Sequence, residues 1–97
     1  MVRSPDVIWS FDAEKDLKKI HLFCSKQDVH YASRVISEII GSSKKLIYSN
    51  QYQEDEYLGF PYRRYFVKHW RIIYKVENNL IFIMRIFDIR QSPDQIR

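Results

Sequence analysis

A chain of 97 residues is enough for one small domain, spanning 1–97, and two glycines with three prolines exclude a flexible linker or low-complexity segment. A hydrophobic share of 45% with 15% aromatics excludes an intrinsically disordered chain, and a net charge of +4 points toward an acidic partner, either nucleic acid or a protein segment. Val7-Ile8-Trp9 is too short for a signal peptide and Leu80–Met84 too short to span a bilayer, so no membrane partner and a cytoplasmic location are expected.

Asp6 to Phe11 has the composition of a first strand, with Ser10 or Asp12 placed to cap the next element. From Ala13 the apolar positions run Ala13, Leu17, Ile20 and Phe23 with Cys24, one face of a helix. Asp12 and Glu14 in its first turn, with Lys18 and Lys19 further along, suit the helix dipole. Lys26-Gln27-Asp28 breaks the pattern, and Asp28 can cap a second helix. Its apolar face is Val29, Ala32, Val35 with Ile36, Ile39 with Ile40, then Leu46 with Ile47. Gly41 interrupts that helix at a cost of about 1 kcal/mol relative to alanine. The two helices predict an antiparallel hairpin with a shared apolar seam.

Cys24 is the only cysteine, which excludes an intrachain disulfide and a cysteine metal cage; its helical spacing from Leu17 and Ile20 makes it a small core residue. His21, His30 and His69 lie on three different elements without ligand spacing, so no metal and no cofactor are expected. Residues 50–61 read as a loop carrying Glu54, Asp55 and Glu56. Adjacent carboxylates can do acid–base chemistry, but such a loop cluster is more simply a solvated one.

Tyr62 to Pro93 then reads as three strands joined by turns at Lys68-His69 and Glu77-Asn78-Asn79, asparagine tolerating the left-handed backbone of a tight hairpin. With Glu77 opposite Leu80, one face collects Trp70, Ile72, Tyr74, Val76, Ile81, Ile83, Arg85 and Phe87, and is the side to be packed on the core. The other collects Tyr62, Arg64, Phe66, Arg71, Ile73, Lys75, Phe82, Met84, Ile86, Asp88 and, if the strand runs on, Arg90. That second face is half apolar and studded with cations. It is either a solvated surface, its long side chains lying over apolar neighbours, or a concave binding floor. Phe82, Met84 and Ile86 on it predict association, since contiguous exposed apolar surface marks interfaces.

The opening VIWSFDAEKDLKKI (7–20), the WRIIYKVENNLIFIMRI of 70–86 and the closing FDIRQSP (87–93) resemble the RelE/ParE superfamily of toxins from type II toxin–antitoxin modules. With the element order, the likeness spans nearly the whole chain. It implies an α+β fold of an N-terminal strand, an antiparallel two-helix hairpin and a three-stranded antiparallel meander. It also implies growth inhibition or plasmid stabilisation by a toxin that a cognate antitoxin neutralises. The antitoxin would bring an acidic, partly disordered segment that orders on binding, and operator DNA would be bound only by the toxin–antitoxin complex.

Two mechanisms compete within the superfamily. RelE-like members cut messenger RNA on the ribosome, which requires a base for the 2′-hydroxyl, cations at the phosphate and an acid for the leaving group. The resemblance puts Arg64 (or its neighbour Arg63) and Arg90 where such enzymes carry sheet arginines, with Arg71 and Lys75 holding the RNA backbone. After Arg90, however, the chain reads QSPDQIR, without the terminal Tyr or His of many members, so His69, Tyr62 or Tyr65 would have to substitute. ParE-like members instead bind DNA gyrase and need no catalytic constellation. The long helical hairpin, from Ala13 to about Ile47, and the missing terminal acid resemble that branch more closely. The expected target- or antitoxin-binding residues are Arg63, Arg64, Arg71, Lys75, Phe82, Met84 and Arg90. The catalytic set, should the chain be a ribonuclease, is Arg64, His69 and Arg90. A nucleic-acid-binding module without toxicity is the third reading.

Overall fold

In a computed structural model, residues 6–45, 59, 61–78 and 80–90 are described. Leu46, Ile47, the Glu54–Glu56 cluster, Asn79 and the closing Gln91–Pro93 lie outside the described residues. The elements are β1 (Asp6–Trp9), α1 (Phe11–Ser25), α2 (Val29–Ser43), β2 (Arg63–Val67), β3 (Trp70–Glu77) and β4 (Leu80–Asp88). The expected order holds, and the domain is α+β. The last three strands form the antiparallel meander. The sheet as a whole is mixed, in the order β1-β4-β3-β2, because β1 lies parallel to β4. A parallel pair needs a long crossover, and here the helical hairpin forms part of it.

Local chemistry places the element ends. Ser10 is the N-cap of α1, its Oγ accepting from the Ala13 amide at 3.0 Å while donating to the Met84 carbonyl at 2.9 Å. One hydroxyl thus starts the helix and ties it to β4. Asp28 caps α2, taking the His30 and Tyr31 amides at 2.8 and 3.4 Å. Gly41 stays within α2 and interrupts nothing. Lys68 (φ 53°) and Asn78 (φ 49°) supply the left-handed backbone of the two hairpin turns.

The helices pack on one side of the sheet. Ala13, Ile20 and Cys24 of α1 and Ala32, Val35 and Ile39 of α2 meet Tyr65, Trp70, Ile72, Tyr74, Ile81, Ile83 and Ile86. Tyr65 stacks edge-on against Tyr74, with centroids 5.8 Å apart, and its hydroxyl lies 3.0 Å from Ser42 Oγ. Two details of the expected seam are corrected. Phe23 and Val29 are exposed rather than seam residues, whereas Asp16 is buried on the inward face of α1. The inward stripe of α1 is Ala13, Asp16, Ile20, Cys24, which follows the helical period more closely than the apolar residues alone do.

The larger correction concerns register. From Glu77↔Leu80 to Tyr74↔Ile83 the pairing is as expected; beyond it Ile73 faces Arg85, Ile72 faces Ile86 and Trp70 faces Asp88. Met84 is an extra residue on β4, a β-bulge, and every later side chain changes face. Ile86 therefore enters the core, a place expected for Arg85 and Phe87, and Asp88 joins the helix-facing side. Arg85 and Phe87 move to the other face. The β2–β3 register is as expected, with Arg64↔Ile73 and Phe66↔Arg71.

Candidate functional site

The sheet face away from the helices carries Arg64 and Phe66 from β2, Arg71, Ile73 and Lys75 from β3, and Phe82, Arg85 and Phe87 from β4. Cations and rings are interleaved. Arg64 Cζ lies 5.8 Å from the Phe66 centroid, Arg71 Cζ 5.5 Å and Arg85 Cζ 4.8 Å from Phe87, and Lys75 Nζ 5.6 Å from Phe82. The cations lie over the negative faces of the aromatic rings, which orients them on the sheet. The floor is not uniformly open, since Ile73 is 0% and Arg71 3% exposed, whereas Phe66 is 51% exposed. Arg63 pairs with Tyr74 and so occupies the helix-facing phase, leaving Arg64 as the arginine of the open face. Lys75 also meets Glu77, at 3.4 Å. Met84, at the bulge, is half-buried.

His69 and Arg90 lie elsewhere. The strand ends at Asp88, and Arg90 folds back to fork onto the Asp88 carboxylate, its Nε at 3.0 and 3.2 Å and its Nη2 at 2.7 Å. The Arg90 amide donates to the same carboxylate, and the Ile89 amide donates to the His69 carbonyl at 2.9 Å, drawing the end of β4 to the β2–β3 turn. Asp88 faces Trp70, whose ring lies 4.3 Å from the His69 ring. Arg64, on the opposite face, is not brought together with His69 and Arg90.

Charge states follow from these neighbours. The Arg90 hydrogen bonds hold the Asp88 carboxyl below its ordinary range, and Arg90 is held correspondingly above its own. Burial, followed by the nearby Arg90 charge, pushes His69 below the ordinary imidazole value, favouring the neutral ring. Burial raises the Cys24 thiol, which suits a core side chain and not a nucleophile. Among the described residues, no group of three or more His, Cys, Asp or Glu side chains is placed to hold a metal ion. No helix among them is long and apolar enough to cross a membrane.

The residues that residue-by-residue reading missed are Asp16 and Arg85. Asp16 accepts from Arg85 Nε at 2.8 Å, from Arg85 Nη2 at 3.3 Å and from the Ile86 amide at 2.9 Å. β1 pairs with β4 only from Leu80 to Ile83, so beyond that point the N-terminal half of α1 covers the strand edge, and Asp16 satisfies the amide exposed just past the bulge. The signal was an acid on the inward stripe of α1, three residues after Ala13 and four before Ile20.

The architecture has close counterparts. The chain superposes on a chain of the chromosomal ParDE toxin–antitoxin system of P. aeruginosa with a TM-score of 0.77 at 19% identity, covering 89% of this chain and 97% of that one. A conserved hypothetical protein from Helicobacter pylori gives a TM-score of 0.61 at 18% identity, covering 90% and 97%. At those identities the likeness is one of fold. No curated protein matches the sequence significantly. Residues 7–93 match the family described as the ParE toxin of the type II toxin–antitoxin system parDE. With that match running from the first strand to past the end of the sheet, the chain belongs to the ParE toxin family.

Proposed function

We propose that this ParE-family toxin arrests growth in the cytoplasm by binding DNA gyrase, without bond-making chemistry of its own, and that a cognate antitoxin with an acidic, partly disordered segment neutralises it. The observation that carries the non-enzymatic reading is the separation of the three ribonuclease candidates. Arg64 stands on one face of the sheet, while His69 and Arg90 stand at its end on the helical side, with Arg90 committed to Asp88. A phosphoryl-transfer site needs its base, acid and cations within hydrogen-bond reach of one phosphate. The family match supports the toxin assignment independently. The surface offered to target or antitoxin is the interleaved face of Arg64, Lys75 and Phe82, with Met84 at its bulge; Arg71 is buried beneath it, and Arg63 and Arg90 belong to the helical side.

The test is pulsed expression read simultaneously for DNA topology and RNA integrity, with purified protein added to a gyrase supercoiling reaction. Loss of supercoiling with intact messages is the expected result. Codon-positioned cuts in translated messages that Arg90→Ala abolishes, with supercoiling untouched, would replace this reading with a ribosome-dependent ribonuclease. Salt-dependent binding to bare DNA or RNA without either effect would replace it with a nucleic-acid-binding module.

A further inference from the structure

Of the eight large apolar side chains left exposed among the described residues, four stand at one end of the molecule. Leu22 and Phe23 lie in the last turn of α1, Val29 opens α2, and Ile89 follows β4; each is between 51% and 64% exposed. The fold brings these segments to the same end. Phe23 shares a cleft wall with Trp70 and Asp88, and the Ile89 amide donates to the His69 carbonyl. Tyr31, in the first turn of α2, has the Lys68 ammonium 6.0 Å from its ring. The connection between the helices therefore lies beside the β2–β3 turn and the end of β4. Leu22 and Phe23 stand off the inward stripe of α1, so folding gives them no cover. A single exposed leucine is ordinary, but a group of this kind at one end marks an interface.

Charge narrows what can cover it. Lys18, Lys19 and Lys26 are exposed around the hairpin tip and make no ion pair among the described residues. The acids nearby are engaged, Asp28 in capping α2 and Asp88 under the Arg90 fork. A second copy docking through this end would set lysine against lysine. An anionic bilayer would attract the lysines but press the exposed Asp28 into its headgroups. Bare nucleic acid would match the lysines and leave the apolar group in water. A protein surface with an apolar recess and an acidic rim satisfies both features. We infer that this end is where the toxin docks on its target protein, Leu22 and Phe23 entering the recess while Lys19 and Lys26 face carboxylates at its rim. The inference rests on the reading above only for the target's identity, DNA gyrase. The interleaved face, on the other side of the sheet, is thereby left to the antitoxin.

The test compares variants of the full chain in the gyrase supercoiling reaction and for growth arrest on pulsed expression. Leu22→Asp and Phe23→Asp are each expected to raise the concentration for half inhibition about tenfold or more, as loss of a buried anchor does. The pair Lys19→Glu and Lys26→Glu is expected to raise it about tenfold, mainly by slowing association. Phe11→Asp makes the same apolar-to-acid change at the far end of α1, at a 75% exposed position, and is expected to leave inhibition unchanged. Urea unfolding shows which variants are folded; the lysine reversals, at exposed positions, carry the test should an aspartate variant not fold. Inhibition and growth arrest that survive all the tip changes overturn the docking end and leave the gyrase reading standing. Growth arrest by the unsubstituted chain without loss of supercoiling refutes gyrase, and the same variants then decide the docking end by growth arrest alone. Binding to phosphatidylglycerol vesicles that the tip changes abolish, with growth arrest retained, would put a lipid surface in place of the protein. A chain that neither arrests growth nor inhibits gyrase refutes both readings.

Discussion

Replacing Asp16 by alanine should damage the fold well beyond the range of an ordinary surface substitution. The side chain is 8% exposed and accepts three hydrogen bonds that join α1 to β4 immediately after the bulge. Its loss leaves the Ile86 amide, buried at the strand edge, without an acceptor, a cost of about 1–3 kcal/mol. The Arg85 side chain is 40% exposed and can return to water, so the ion pair contributes no more than about 1 kcal/mol. Together the loss is about 1–4 kcal/mol, a sizeable part of the roughly 5–15 kcal/mol that holds such a domain together. For a domain of this size, at about 4–8 °C per kcal/mol, that corresponds to a fall in Tm of about 5–30 °C. Asp16→Asn keeps an acceptor for the Ile86 amide and should lose about half as much. Urea unfolding followed by tryptophan fluorescence measures both, with an unchanged m-value showing that the surface exposed on unfolding is the same. A loss below about 0.5 kcal/mol for Asp16→Ala, the range of an ordinary surface substitution, would refute the claim that this carboxylate holds the bulge.

Ser10→Ala removes both a helix cap and the tie to the Met84 carbonyl and should cost about 1–2 kcal/mol by the same unfolding assay. His69 has its folded-state pKa depressed, so the unfolded chain binds its proton more readily. The stability it contributes is therefore complete above the ordinary imidazole value of 6.5 and is lost as pH falls through the folded value. Arg90→Gln should raise the His69 pKa, by removing a repelling cation and freeing Asp88, without restoring the ordinary value, because burial is the larger cause; an NMR titration showing no upward movement would contradict this. Asp88 is also depressed, so its contribution is present above the ordinary carboxylate value of 3.8 and disappears as pH falls through the folded value; Arg90→Gln should flatten the acid limb of a pH–stability curve. Cys24, 2% exposed and with a raised pKa, should react with thiol reagents only as fast as the helices open, and its labelling rate should rise with urea in step with unfolding.

The extent to which the fold is written locally differs from place to place along the chain. Asp28 and the turn at Asn78 act within a few residues of themselves, through side-chain oxygens capping amides or a backbone that tolerates positive φ, and each was legible as such, whereas between Ser10 and Asp12 the structure chose Ser10 as the cap of α1. The face of Arg64 was legible for a related reason, since alternation along a strand carries its phase unaided until something adds a residue. The faces of Ile86, Phe87 and Asp88 were not. A bulge at Met84 has no composition of its own, being stabilised by Ser10 and Asp16 from roughly seventy positions away.

The amino-acid sequence by itself determined the element order, the Asp28 cap, and the meander with its two turns, because each depends on periodicity and on contacts between near neighbours; the family likeness rested on the resemblance of its motifs. Only the tertiary structure decided where β1 pairs, that Asp16 is a partner and not a surface acid, and that Arg64 and Arg90 stand on different sides of the sheet. Those outcomes depend on which groups meet across the fold, where a one-residue change in strand phase turns every following side chain over.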